Sequence, residues 1–598
     1  MAVSILNLAA GLAYLTACVA IGSAFLRQLD IHAPPYWYFP LAALSGVAAV
    51  NTCVVLALVF GGGVLTLRVL LAVILYVAAQ ELMMHSKVSQ AFALAGSIVR
   101  ERWIAPVVLV ALGLNLLIAL APSTKIDEIY YHMLVPSRVV SDGGLRAYRE
   151  PFESAIYPQM AFQYGLSVLY ATGIPEAGNL LSWGLGAALI VFIVGTVSLL
   201  TREQQAGWLF GAIAVVGLYT AVWHVTSGAH ALGDLATVIA VSLCLLPDTL
   251  VAWARPEQRL ILICLAGCTA ALTKISLLPI CIAITLLAAS IAVPHLGWQK
   301  SVFILTGSWV ALYSPLLIWS AIHTGSPFGL ATATLFHSRF FDASTFNLMA
   351  ESRKINQIGL MNALQFLVLE VSPAYILALC IIVMGAWNLL NLRILLALMA
   401  GQIVLIALFL PHDFRFLGGL QFVVLIMASW ALSFWSRGKH LLKRSALLVI
   451  PFCLPSLAVQ AYYALPFIEV DLGLTTRDSF MNKYVAFRSD FQSLNKLLPK
   501  DAVLLVKNSR LPSIYAPRPV ILTIKDAPAD RPLYRFTVGE DKTSDNSIYC
   551  NELVYENRQA VSNVYRTPGR LPVREHLIVE HCAPASSSGS QSSLDNHN

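Results

Sequence analysis

The sequence predicts a mostly α fold, a polytopic helical membrane domain of about 14 spans followed by a small C-terminal α/β domain. Two observations predict it. Of 598 residues, 58% are hydrophobic and 12% charged, with a mean hydropathy of +0.71, whereas a soluble globular domain carries about 25% charged residues. The charges are also unevenly spread. From Phe467 to the end there are 15 acidic and 16 basic residues in 132, while the remaining 40 charges cover 466 residues. The tail therefore contributes +1 of the net +7. The other basic residues lie in membrane loops, where they report orientation rather than a nucleic-acid partner.

In chain order, the N-terminal run MAVSILNLAAGLAYLTACVAIGSAFL has no basic n-region and no cleavage-type ending. It reads as a retained first span rather than a signal peptide. Apolar stretches of spanning length lie near 4–26, 38–61, 64–84, 103–121, 177–199, 207–223, 235–253, 260–274, 277–293, 301–322, 362–386, 394–411, 416–436 and 445–465. The organisation expected is N-terminal spans over 1–121, an outer loop over 122–176, further spans over 177–466, an α/β domain over 467–584 and a disordered tail over 585–598. Segment 159–173 is too short to span comfortably and is expected to lie against the membrane.

Orientation follows from basic loops. RGKHLLKR at 437–444 carries Arg437, Lys439, Lys443 and Arg444 and is expected in the cytoplasm. Alternation then puts the loops holding Arg27, Lys87, Arg100, Arg102, Arg202, Arg255, Arg259, Lys300 and Arg393 on that same side. Loop 122–176, the turn at 224–234, loop 323–361, the PHDFR turn and the C-terminal domain share the opposite, extracytoplasmic face of an inner (plasma) membrane. No phosphate-binding glycine loop, zinc-type Cys/His spacing, GxSxG elbow or internal repeat accompanies them.

The first outer loop places Asp127 and Glu128 side by side in STKIDEIYYHMLVPSR. Ile126, Ile129, Tyr130, Met133 and Leu134 recur at helical spacing, which predicts an amphipathic interfacial helix. On it Asp127 neighbours Tyr131 and Glu128 neighbours His132 by the i, i+4 rule. A purely structural reading stands beside this one, since Thr124 and Asp127 have capping-box spacing. Arg138, Arg146, Arg149 and the Tyr157-Pro158 junction follow.

With these residues the chain resembles the GT-C superfamily of polytopic glycosyltransferases that use polyprenyl-phosphate-linked sugars. The resemblance covers about residues 120–420 and rests on Asp127, Glu128, Tyr157-Pro158, SGAHALGD ending at Asp234, LTKISLLP with Lys274, TGSPFG at 324–329 and the PHDFRF turn. It is nearest the mannosyl-, galacturonosyl- and aminoarabinosyltransferase branch. There is no WWDYG-like motif, and three spans precede the acidic loop where one is usual. The resemblance implies an inverting transfer of one sugar from a polyprenyl phosphate to a lipid, polysaccharide or protein acceptor in cell-envelope glycan biosynthesis. Asp127 is then the base and Glu128 its acidic companion. Tyr131, His132, Tyr157, His230, Asp234, Lys274, His412 and Arg415 are the substrate-binding candidates, with Lys274, Arg415 and His412 on the phosphate. Metal dependence varies within the superfamily. Were a divalent cation (Mg or Mn) held, its candidate ligands are Asp127, Glu128 and Asp234.

Each candidate has a plainer alternative: a snorkelling interface lysine for Lys274, an ion pair with Asp413 for Arg415, a helix cap for Asp234. Glu370 sits in an apolar helix with no assigned role, and HSRFFDAS at 337–344, with Arg339, reads as an outer loop able to close over a donor. In the tail, AVLLV and VILTI are strand-like runs. Cys550 and Cys582 are the two cysteines there and pair if the domain lies outside the cytoplasm. The other eight cysteines lie in apolar stretches and read as small core hydrophobes. Two further classes compete with the enzyme: a flippase or transporter of lipid-linked sugars, which needs ionisable residues near the midplane, and a noncatalytic subunit of the same fold.

Overall fold

The computed structural model describes residues 2–84, 104–149, 154–226, 228–341, 374–386, 389–409, 414–435, 449–506, 513–521, 530–539, 548–563 and 573–584, with isolated positions 346, 372, 511 and 528. Expectations for loop 437–444, Lys87, Arg100, Arg102, Glu370, His412, Asp413 and the tail 585–598 fall outside these residues.

Three helices open the chain: α1 Ala2–Gln28, α2 Pro35–Val59 and α3 Val64–Met84. Helices α1 and α2 cross backbone to backbone, because a Cβ on Gly22 would overlap the Ala42 carbonyl and one on Gly46 the Cys18 carbonyl. Small residues permit such crossings in apolar surroundings. Arg27 closes the far end of this trio through an ion pair with the buried Glu81 of α3.

Next come α4 Ala105–Leu120, a π-helical turn Glu128–His132, α5 Leu134–Ser141, a 3₁₀ turn Tyr157–Met160 and α6 Ala161–Tyr170. The expectation that 159–173 lies against the membrane is corrected. Residues Ala161–Leu169 of α6 are all buried, because Gly165 leaves room for Asn51 of α2 to press against its backbone. Gly63 meets the Gly143 carbonyl, and Arg68 Nε donates to Ala171 O at 2.8 Å. The three N-terminal helices therefore hold the 122–176 segment from beneath.

The body continues as α7 Ala177–Thr201, α8 Gln204–Val215, α9 Leu218–Trp223, α10 His230–Leu245, α11 Pro256–Thr273, α12 Leu278–Leu296, α13 Trp298–Thr324, α14 Ala374–Ala386, α15 Leu390–Phe409, α16 Leu420–Phe434, α17 Val449–Phe452 and α18 Leu454–Asp471. Among the described residues six helices are long and apolar enough to cross a membrane: Ser4–Gln28, Pro35–Val59, Val64–Met84, Ala177–Thr201, Ile275–Leu296 and Trp298–Thr324. These meet six of the about 14 expected spans; the expected spans 362–386 and 445–465 lie partly outside the described residues, and two others depart from spanning helices for visible reasons. The 207–223 stretch breaks at Val216–Gly217, where Gly217 has φ +106°. Helix α10 is 16 residues long, about 24 Å, and all of them are buried; surrounded by protein, it has no need of lipid-spanning length. Buried amides tie α18 to this body, with Gln460 donating to Asn115 Oδ1 at 2.6 Å and Asn115 to Thr220 Oγ1 at 3.2 Å.

Helices α19 Arg477–Tyr484 and α20 Arg488–Leu497 lead into the sheet. Its strands β1 Val503–Val506, β2 Val520–Ile521, β3 Leu533–Val538, β4 Ile548–Asn563 and β5 Val573–Pro584 lie in the order β2-β1-β3-β5-β4. Pairing is parallel for β1 with β2 and β3 and antiparallel for the rest. Phe487, Phe491 and Leu494 of the helical layer meet Phe536, Leu504 and Leu577 of the sheet. Cys550 and Cys582 stand opposite each other on β4 and β5 and form a disulfide. The two hydrophobic cores part between Val485 and Ala486. Phe467, Phe480, Met481 and Val485 pack on Ile118, Ile129 and Val225 of the helical body, joined by Ile514 and Tyr515, whereas Phe487, Phe491 and Leu494 pack on the sheet.

Candidate functional site

At one end of the helical body, residues from four distant stretches meet around Asp127. Arg415 Nη1 donates to Asp127 Oδ2 at 2.7 Å. Arg415 belongs to a 3₁₀ turn, Phe414–Leu417, that precedes α16. Its guanidinium carbon lies 4.7 Å from the Trp223 ring and 5.2 Å from the Phe416 ring, a cation–π setting that keeps the planar group flat on its neighbours. Lys274, at the C-terminal end of α11, donates from Nζ to Arg415 O at 3.4 Å. Gln402 fixes the two turns to each other by donating to Ser276 O at 3.1 Å and Phe416 O at 2.7 Å. The close seat of the Arg415 turn on α10 depends on Gly418 and Gly419. Gly418 has φ +54°, and a Cβ on Gly419 would overlap the Asp234 carbonyl.

Lys125 places its ammonium over the Trp223 ring. His132 lies tilted against Tyr131 with ring centroids 3.9 Å apart, meets His230 edge-on at 6.3 Å, and bonds through Nδ1 to Gln163 Nε2 at 2.8 Å. Trp223 and His230 rings lie 4.6 Å apart. Burial pushes the His132 imidazole down to about 3; Asp127 opposes that shift, while Lys125, Lys274 and Arg415 add to it. The imidazole is therefore neutral at physiological pH. Two buried polar groups here, His132 Nε2 and the Trp223 indole N–H, make no hydrogen bond among the described residues. Buried polar groups without partners are uncommon and mark places where a ligand can complete the bonding.

The structure corrects the expected helix over Asp127–His132. Its turn is π-helical, with Met133 N–H donating to Glu128 O at 2.8 Å. Adjacent side chains on a helix point about 100° apart, and the two carboxylates diverge accordingly. Asp127 meets Arg415, and Glu128 accepts from Ser123 Oγ at 2.8 Å. Ser123 is also held by Asn179 at 3.0 Å, and its carbonyl accepts from Tyr515 of the C-terminal domain at 3.4 Å. The segment is buried rather than lying open at an interface. Thr124 Oγ1 makes no hydrogen bond, so the capping-box alternative is not realised. Arg415 pairs with Asp127; Asp413, its expected partner, lies outside the described residues.

Asp234 does not join Asp127. It is buried one turn below His230 and accepts from Tyr219 Oη at 2.9 Å while pairing with His224 Nε2 at 2.8 Å. Through His224 it steadies the end of α9 that carries Trp223. Tyr157 is also a positioning group, its hydroxyl accepting from Tyr148 N and donating to Tyr148 O, both at 2.7 Å. The start of the 337–344 loop is pinned: Arg149 Nε donates to Phe340 O at 2.7 Å and the guanidinium covers the Phe340 ring at 5.0 Å. Among the described residues no group of three or more His, Cys, Asp or Glu comes together to hold a metal. The three carboxylates proposed as ligands have separate partners: Arg415 for Asp127, Ser123 for Glu128, and Tyr219 and His224 for Asp234.

Sequence reasoning missed Lys125, Trp223 and Gln163. Lys125 was visible two positions before Asp127; Trp223 and Gln163 carry no local signal, since only packing brings them to the site. The chain matches no protein-family model, no curated protein and no solved structure.

Proposed function

We propose that the protein is an integral-membrane inverting glycosyltransferase of GT-C type, with its site and C-terminal domain on the extracytoplasmic face of the inner (plasma) membrane. It moves one sugar from a polyprenyl-phosphate donor to a lipid, polysaccharide or protein acceptor. The observation that carries the reading is the meeting of Lys125, Lys274 and Arg415 with Asp127 at one end of long apolar helices. Cations in this arrangement suit a phosphate, the apolar helices suit its lipid chain, and Asp127 suits an acceptor proton.

In the step, the acceptor oxygen attacks the anomeric carbon from the face opposite the phosphate. The bond from that carbon to the phosphate oxygen breaks, its electron pair leaves with the phosphate, and the acceptor proton passes to Asp127. Lys125, Lys274 and Arg415 face the charge that grows on the leaving group, where electrostatic stabilisation is most effective. Neutral His132 offers Nε2 to a sugar hydroxyl, and the Trp223 ring offers an apolar surface.

Mass spectrometry of surface glycans and lipids in cells carrying wild type, a deletion and Asp127→Asn tests this. Loss of the same sugar in the deletion and in Asp127→Asn is expected. A wild-type profile in Asp127→Asn beside a loss in the deletion would remove Asp127 as base. The buried Tyr219–Asp234–His224 cluster favours a second reading, a transporter or flippase of lipid-linked sugars, because intramembrane ionisable groups mark ion pathways. Collapse of activity with a protonophore and with Asp234→Asn, but not with Asp127→Asn, would select it.

A further inference from the structure

The candidate base and the candidate phosphate binder occupy each other. Asp127 Oδ2 and Arg415 Nη1 are 2.7 Å apart, and neither side chain is sealed in, being 13% and 17% exposed. A carboxylate held by a guanidinium resists protonation, so in this arrangement Asp127 is a poor proton acceptor. The guanidinium, meanwhile, spends one of its five donors on a group that is not substrate. Both defects vanish together if an anion takes Arg415.

The geometry points to a substrate-operated latch, in which the donor's phosphate draws Arg415 away from Asp127 and so frees the carboxylate to take the acceptor's proton. The inference rests on the transferase reading and adds an order to it: donor first, acceptor activation second. The local architecture suits a small swing of this kind. Arg415 lies against Trp223 and Phe416, surfaces along which a flat cation slides while keeping its π contacts. Lys274 is bonded to the carbonyl of the same residue and Lys125 rests on the same indole. An anion entering between them meets three cations. The charge on a phosphate grows from about −1 in the diester to nearly −2 in the leaving monoester, so the hold on Arg415 tightens as the bond breaks. Without donor the base stays engaged, and water reaching the site meets no free carboxylate.

Carbodiimide labelling of the purified full-length chain in detergent tests the latch without requiring turnover, because dicyclohexylcarbodiimide reacts with protonated carboxyl groups. The probes are farnesyl phosphate, inorganic phosphate and, as an uncharged control, farnesol. Near pH 6.5, farnesyl phosphate is expected to raise labelling of the Asp127 peptide by about tenfold, the scale on which a neighbouring cation suppresses protonation, and farnesol to leave it unchanged. Inorganic phosphate acting alone identifies the phosphate as sufficient; a response confined to farnesyl phosphate shows that the lipid chain is needed to deliver it. Arg415→Gln should label strongly with no ligand present. Should that variant not fold, the wild-type response decides by itself. Labelling that farnesyl phosphate leaves flat, or lowers, overturns the latch. A flat response together with sugar loss in Asp127→Asn cells rejects the latch and keeps the transferase; a tenfold response with a wild-type glycan profile in those cells shows that the anion displaces Arg415 but that Asp127 is not the base, and overturns both readings.

Discussion

The two ends of the helical body use charge differently. At the end away from Asp127 four described cations have an acidic partner close by: Arg27 with Glu81, Arg255 with Asp30 at 3.8 Å, Arg259 with Asp248 at 2.5 Å, and Lys300 with Glu257 at 2.5 Å. At the other end the charges acting on His132 are one carboxylate, Asp127, and three cations, Lys125, Lys274 and Arg415. Matched pairs fasten helices to one another and need nothing more. Three cations gathered beside one another, with Arg415 held by Trp223, Phe416 and Gln402, form a field that attracts an anion.

The sharpest way to break this comparison is to remove the one carboxylate. Asp127→Asn should lower transfer by about 10² to 10⁴, measured as turnover of a lipid-phosphate sugar in membranes. Glu81→Gln, the corresponding change at the far end, should leave turnover per folded molecule unaltered. Equal losses in both would erase the distinction between the ends. Next in size, Lys274→Met and Lys125→Met should each raise the donor KM by about tenfold, the weight of a charge-assisted contact to phosphate, with a smaller effect on the acceptor KM.

At the far end the expected effect is on stability. Arg27→Met leaves Glu81 buried without its guanidinium partner and should cost about 1 to 2 kcal/mol; a fully buried pair would cost more, but the Arg27 side chain is 40% exposed and partly screened. Thermal unfolding in detergent reads this, and no change in donor KM should accompany it. A further effect concerns pH. His132 titrates near 3 when folded and near 6.5 when unfolded, so between those values the unfolded chain binds the extra proton. Stability should therefore fall as pH drops below about 6.5, by at most about 1.4 kcal/mol per pH unit. His132→Gln should flatten that slope in melts between pH 7 and 4, and a slope that persists unchanged assigns it to other groups.

Much of the helical scaffold was legible in advance, since apolar runs at 4–26, 38–61, 64–84 and 177–199 reappear as α1, α2, α3 and α7. The interrupted stretches were harder, because hydropathy does not register the break at Gly217 or the all-round burial of α10. In the site, Asp127, His132, His230, Lys274 and Arg415 were named from the chain and do come together. Asp234 and Tyr157 were named as substrate binders, but their hydrogen bonds run to Tyr219, His224 and the Tyr148 backbone. A motif position reports that a polar residue is present, not which way its side chain turns.

Composition and periodicity alone determined that this chain is helical and apolar, that its charge gathers in a small C-terminal α/β unit, and that two cysteines lie in that polar unit. These are sums over local windows, so local sequence suffices. Only the tertiary structure decided that neighbours Asp127 and Glu128 face opposite ways, and that Asp127 meets Arg415, 288 positions later. The packing of distant segments supplies those partners, and it leaves no trace in the hydropathy of any single segment.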